Sequence, residues 1–278
     1  MDDEVVRTLL KEQHPDLAEL ELKEVIGGWG NQMWRLGDDL AVRLPRHAGA
    51  PQVLHREHQW LPDLAPRLPL PIPVPCHLGE PSDRFPRTWL VTTWVHGEPA
   101  DHAPITDPAA ADVLAGFLHA LHTAPPAGAP VSDRATLAPS PGFDEVQAYV
   151  GRADEIRAVW EDALAAPKWD RAPVWVHGDL HPANVVVADG TLAGVVDFEE
   201  LGVGDPATDL ASAWILLPEA ERFFDVYGAD EATVRRARGW AVTRALFLIA
   251  MGINGEKGIP GGKTHWGPVG LAALNRVL

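Results

Sequence analysis

Asp179, Asn184 and Asp197 supply two carboxylates and an amide in the order that phosphoryl transfer from a nucleotide asks for. One carboxylate must orient or deprotonate an alcohol, while an amide oxygen and a second carboxylate hold Mg²⁺ on the phosphates. The stretch from His177 to Asn184 reads HGDLHPAN, which sets Asp179 ahead of Asn184 in the spacing H-x-D-x-x-x-x-N. Asp179 is therefore assigned as the catalytic carboxylate, and Asn184 and Asp197 as metal ligands. Two protein ligands suffice, because Mg²⁺ completes its octahedron with substrate phosphates and water. The blander alternative makes Asp179 and Asn184 turn residues and Asp197 a helix cap. It leaves His177, Leu180 and the hairpin that follows without a purpose.

These residues need a frame. Val174-Trp175-Val176, Asn184 to Ala188 and Leu192 to Asp197 read as short strands, with the tight-turn pair Asp189-Gly190 between the last two. A hairpin turning there returns Asp197 to the end of the sheet where Asn184 begins. Upstream, Leu22 to Ile26 reads as a strand leading into Gly27-Gly28-Trp29-Gly30-Asn31. Two further strands follow, Gln32 to Leu36 and Leu40 to Leu44. The backbone amides of Gly28, Trp29, Gly30 and Asn31 are placed to face phosphates, although glycines are common in any hairpin. The third strand carries Arg43, with Arg46 just beyond it and Glu57 on the next helix.

That helix should start at Pro51 and be kinked or shortened at Pro62. A proline-rich strap over 66–75 and a strand pair near Val74–Leu78 and Thr88–Val95 complete the first region. After Gly97 the pattern turns helical: one helix from Asp107-Pro108 to about Thr123, one over roughly Asp144 to Ala165, and helices from Pro206 onward. The boundary predicts a nucleotide-binding lobe over 1–95 and a catalytic and acceptor-binding lobe over 96–278.

On these residues the chain resembles the aminoglycoside phosphotransferase family, small-molecule kinases related in fold to protein kinases. The family's catalytic loop H-G-D-x-x-x-x-N is matched by His177, Gly178, Asp179 and Asn184, and its metal-binding Asp by Asp197 in Gly194-Val195-Val196-Asp197-Phe198. A further signature, G-D-P-x-x-D-L-A, is present from Gly204 to Ala211. The resemblance implies an α+β, bilobal protein-kinase-like fold, with a sheet-rich N-terminal lobe and a mainly helical C-terminal lobe. It implies ATP or GTP as co-substrate and Mg²⁺ as cofactor. It makes His177 and Asp209 supports of the catalytic loop, and Thr93, Trp94 and Val95 the connector whose backbone meets the purine. It makes Arg43 the cation for the α/β-phosphates, with Glu57 as its ion-pair partner and Arg46 as a rival, although lysine is usual at that place and arginine departs from the pattern.

For the acceptor, acidic side chains near the catalytic carboxylate suit the ammonium groups of an aminoglycoside-like antibiotic. Glu199, Glu200, Glu256 and Trp266 are the candidates, with Gly258 to Gly262 as a flap. A macrolide, choline or homoserine acceptor is the alternative. Two remoter readings compete: a metal-dependent hydrolase using His177, Asp179, His181 and Asp197, and a pseudokinase-like binding module suggested by Arg43.

Composition bounds these readings. The formal charge of −16 argues against nucleic acid, which needs surplus Lys and Arg, and permits steering of a cationic small molecule. The single cysteine, Cys76, suits a reducing compartment, and the acidic start of the chain is unlike a secretory signal, so a cytoplasmic enzyme without a membrane partner, monomer or dimer, is expected.

Overall fold

The computed structural model describes residues 2–26, 30–47, 51–139 and 143–278. The chain divides into two compact units, Met1–Arg67 with Pro71–His96, and Leu68–Leu70 with Gly97–Leu278.

The first unit carries α1 (Asp3–Gln13), β1 (Leu22–Val25), β2 (Asn31–Leu36), β3 (Leu40–Pro45), α2 (Pro51–Leu64), β4 (Pro75–Gly79) and β5 (Trp89–Thr93). Its strands form one antiparallel sheet in the order β1-β2-β3-β5-β4. Asp2 caps α1 by accepting from the Val5 amide. Val6, Leu9 and Leu10 then share the face that packs with Trp34, Leu36, Val42, Leu44, Trp89 and Val91. Each fully buried Leu or Val here contributes roughly 1.5–3 kcal/mol relative to exposure. Strand side chains alternate, so Val42 and Leu44 in this core send Arg43 to the opposite face. Helix α2 continues two residues past Pro62 and only then tightens into a 3₁₀ turn at Ala65–Arg67.

The second unit begins with β6 (Glu98–Pro99), α3 (Ala110–Leu121), α4 (Phe143–Val150) and α5 (Ala153–Ala165). The short elements β7 (Val174–Val176), β8 (Val185–Ala188), β9 (Thr191–Val195) and β10 (Gly202–Gly204) follow. The helices α6 (Ala207–Leu210), α7 (Ser212–Leu216), α8 (Glu221–Tyr227), α9 (Glu231–Glu256) and α10 (Trp266–Val277) complete it. Strands pair antiparallel as β6-β8-β9 and β10-β7. The single helix expected over 144–165 is two helices, because Gly151 takes φ +74° and breaks the run. The strand expected to reach Asp197 stops at Val195, since Asp197 itself takes φ +65°. Helix α9, roughly 39 Å long at 1.5 Å per residue, is capped by Asp230 and is buried on several faces among α10, α5, α6 and α4. No helix among the described residues is long and apolar enough to cross a membrane.

Candidate active site

The hairpin β8–β9 turns at Asp189 and Gly190, whose φ values of 52° and 78° are those of a type I′ turn. Its register pairs Val185 with Val195, and the Val196 amide donates to the Asn184 carbonyl at 2.9 Å. Asn184 and Asp197 therefore stand at one end of the hairpin. Asn184 spends its amide N–H on the Asp179 carbonyl at 2.9 Å and approaches the Asp179 carboxylate at 3.5 Å, leaving its oxygen as the atom for a cation. Asp197 is exposed and held at positive φ, a conformation uncommon for non-glycine residues, which asparagine and aspartate enter more readily than most. An amide oxygen and a carboxylate are hard donors, a set that fits Mg²⁺.

The loop before Asn184 hangs on Asp209. Its two carboxylate oxygens accept from the backbone amides of His177 at 2.7 Å and Gly178 at 2.8 Å. His122 Nε2 lies 3.2 Å from the same carboxylate, and Tyr227 holds the other His122 nitrogen at 2.7 Å. Burial pushes the Asp209 pKa up, but His122, His177 and the Gly178 amide together hold it below the usual range. Gly178 takes φ +82°, and a Cβ there would come within 3.0 Å of the Glu200 carbonyl, so glycine is required. His177 accepts from the Asp179 amide through Nδ1 at 3.2 Å, which makes Nε2 the donor to the Val196 carbonyl at 3.0 Å. Burial lowers its pKa and keeps the ring neutral. One histidine thus ties the loop that carries Asp179 to the strand end that precedes Asp197.

Asp179 is bracketed by two cationic or polar side chains. Arg244, from the middle of α9, donates to its Oδ1 and to the Gly178 carbonyl. His181 Nε2 lies 3.5 Å from its Oδ2. Burial raises the Asp179 pKa, but Arg244 and His181 overcome this and leave the carboxyl far below its ordinary value. Glu200 lies close by, 3.8 Å from Arg134, and its pKa is raised by burial and by the charge on Asp179.

In the first unit, Arg43 donates to Glu57 at 2.5 Å, with 6% and 0% of the two side chains exposed. Arg46, the rival, is exposed and donates to the Asn31 carbonyl at 3.3 Å. Asn31 opens β2 and is buried, while Gly30 before it is exposed. Gly28 and Trp29 lie outside the described residues. The Thr93 amide donates to Val74 at 2.9 Å and the Trp94 amide to Asp39 at 2.7 Å, so both are spent inside the unit. Val95 is buried beside them.

The acceptor candidates do not all gather. Glu199 and Glu200 follow Asp197 in the turn before β10, with Glu200 near Asp179. Glu256 is exposed at the end of α9. Trp266 is buried, with its N–H committed to Asp101 at 2.8 Å and its ring edge-on to His181 at 5.2 Å. The residue that sequence reasoning missed is Arg244. Its signal was present: a lone arginine interrupting the apolar run Trp240–Ile253, where a charge persists only if it has a partner.

Residues 21–246 match the model of the phosphotransferase enzyme family, APH, and the chain belongs to that family. An aminoglycoside 3'-phosphotransferase of Escherichia coli is 27% identical over 241 residues, covering 80% of this chain and 79% of the relative. A thiamine kinase of Escherichia coli O157:H7 is 29% identical over 219 residues, covering 76% and 71%. Among solved structures, the GDP and kanamycin complex of APH(2")-IIia aligns at TM-score 0.69 and 20% identity, covering 98% of this chain and 97% of that one. The macrolide 2'-phosphotransferase MphH of Brachybacterium faecium aligns at TM-score 0.64 and 23% identity, covering 98% of each. The fold is thus the α+β, protein-kinase-like fold of the aminoglycoside phosphotransferases.

Proposed function

We propose that the chain moves the γ-phosphate of ATP or GTP to a hydroxyl of a small cationic acceptor, an aminoglycoside-like antibiotic first among them. The observation that carries this reading is the joint placement of Asp179, Asn184 and Asp197, braced by His177 and Asp209. Asn184 and Asp197 would hold Mg²⁺, which supplies charge neutralisation on the phosphates. Asp179, kept ionised by Arg244 and His181, is a weak base in the ground state. It accepts a hydrogen bond from the acceptor hydroxyl, orients it for in-line attack, and takes the proton late, once bonding to phosphorus has made the hydroxyl acidic. A loose transition state asks for no more.

Arg43, positioned by Glu57, is the cation for the α/β-phosphates. With the Thr93 and Trp94 amides engaged, main-chain N–H donation to the purine falls to Val95 and the residues after it, while carbonyls of the connector can accept. Glu199 and Glu200 favour a cationic acceptor near Asp179. The thiamine kinase relatives favour a second reading, a cationic metabolic alcohol, on the same chemistry.

The test is nucleotide consumption with ATP and with GTP across aminoglycosides, macrolides, thiamine, choline and homoserine. Acceptor-dependent turnover that needs Mg²⁺ and falls at least about 10²-fold in Asp179→Asn is expected. Undiminished turnover in that variant removes Asp179 from its role. No acceptor-dependent turnover on any of these favours a binding module.

A further inference from the structure

Apart from the catalytic loop, the second unit holds a cluster whose chemistry phosphoryl transfer does not use. Asp101 and His102 sit in the turn after β6, closed by the His102 and Ala103 amides on the Pro99 carbonyl at 2.9 and 3.0 Å. His265 occupies the cap position of α10. One carboxylate and two imidazoles meet there, with one ligand atom from each within 4.8 Å of the others. Among the described residues this is the only such convergence of three His, Cys or carboxylate side chains.

Asp101 forms the floor, with 5% of its side chain exposed against 62% for His102 and 37% for His265. Its Oδ2 accepts from Trp266 Nε1 at 2.8 Å and lies 3.0 Å from His265 Nε2 and 3.8 Å from His102 Nε2. Its Oδ1 is buried and has no hydrogen-bond partner among the described residues. A buried carboxylate with one oxygen left without a donor is costly, and a cation held on Oδ2 offsets the charge that the two oxygens share.

We infer that Asp101, His102 and His265 bind one transition-metal dication, Zn²⁺ by donor chemistry, with a fourth position open to solvent. Two imidazole nitrogens and a carboxylate suit Zn²⁺ and its neighbours, whereas Mg²⁺ prefers oxygen. Tetrahedral bonds of about 2.0–2.1 Å put ligand atoms about 3.4 Å apart, and the distances from Oδ2 to the two histidines, 3.0 and 3.8 Å, bracket that value. His102, largely exposed, has room to close the difference. Trp266 supplies the outer hydrogen bond that fixes the carboxylate, as buried metal ligands generally require. The same indole packs on His181, and His181 stands 3.5 Å from Asp179, so Trp266 and His181 lie between the cluster and Asp179.

Chelator-stripped full-length protein, free of nucleotide at neutral pH, is titrated with Zn²⁺ by calorimetry and with Co²⁺ by visible absorption. The expected result is saturation at one ion per chain, tetrahedral Co²⁺ bands that Zn²⁺ displaces, and a tryptophan fluorescence change. His102→Ala and His265→Gln should each weaken binding at least about tenfold, and His102→Ala removes only an exposed ring. Asn184→Ala, which touches the Mg²⁺ pair, should leave Zn²⁺ affinity unchanged. Lack of saturation in the wild type overturns the site. So does equal affinity in the wild type and the two histidine variants, or loss of Zn²⁺ binding in Asn184→Ala.

Discussion

Arg244 reaches Asp179 from 65 residues further along the chain and holds both the Asp179 carboxylate and the carbonyl of Gly178. A guanidinium from the centre of a long helix thereby fixes the carboxylate in one orientation and one charge state. Arg244→Met should remove both. Because the folded pKa of Asp179 lies below its unfolded value, its ionised form and the stability it lends are complete above about pH 4 and lost as pH falls through the folded value. Wild-type kcat/KM should therefore show no acid limb from Asp179 in the neutral range. The variant should gain one, moving upward in pH as burial takes over. A quarter of the Asp179 side chain reaches solvent, so the stability loss should stay at or below about 3 kcal/mol. A pH–rate profile and a denaturant melt check the two halves separately.

Asp209→Asn tests the brace. The carboxylate accepts from two backbone amides and faces His122, whereas an amide offers one oxygen and turns an N–H toward a donor. A destabilisation of about 2–4 kcal/mol is expected, with kcat falling and nucleotide KM little changed. A variant with wild-type kcat would show that the loop holds its geometry without this contact.

Arg43 and Glu57 separate stability from function. Arg43→Met takes the guanidinium away from the buried Glu57 carboxylate and should cost up to about 3–5 kcal/mol. Adding Glu57→Leu should restore most of that stability and none of the nucleotide affinity. If nucleotide binding, followed by fluorescence or calorimetry, survives in the double variant, Arg43 has no part in holding phosphates.

Asp197 can be replaced in two instructive ways. At φ +65°, glycine is unstrained and alanine is not, so Asp197→Gly should melt higher than Asp197→Ala by about 1 kcal/mol. Both should lose about 10²- to 10³-fold in turnover, as expected when a stabiliser of transition-state charge is removed. Equal turnover in either variant and the wild type would take Asp197 out of the metal pair.

Much of the second unit's centre was legible because its signals are local. Asp189-Gly190 names its own turn, and the strands on either side carry Asn184 and Asp197 to one end without help from elsewhere. Gly178 is glycine for a reason that appears only in three dimensions, the closeness of the Glu200 carbonyl. The break at Gly151 was readable as a glycine, yet nothing in the flanking helical pattern says which glycine ends a helix. Arg43–Glu57 was legible through the family resemblance, which puts a cation on the third strand and leaves Glu57 on the following helix as its partner. Arg244 was not, because its partner lies on another element and long-range pairing of charges leaves no periodicity. Asp101 and His265 were hidden for the same reason, lying on two segments with no common pattern.

The distance along the chain between Asp179 and Arg244 also sets a timetable. At roughly 5–20 residues per second on a ribosome, the loop emerges some 3–13 s before the guanidinium that neutralises it. During that interval all the motif residues exist but Asp179 lacks its strongest partner, with His181, Asn184 and the more distant Arg134 left to answer its charge. Nascent chains halted just short of Arg244 would carry the entire signature HGDLHPAN while lacking the final setting of Asp179. The setting of Asp179 is thus completed only after the whole motif has been made, by a helix that contributes no residue to the motif itself.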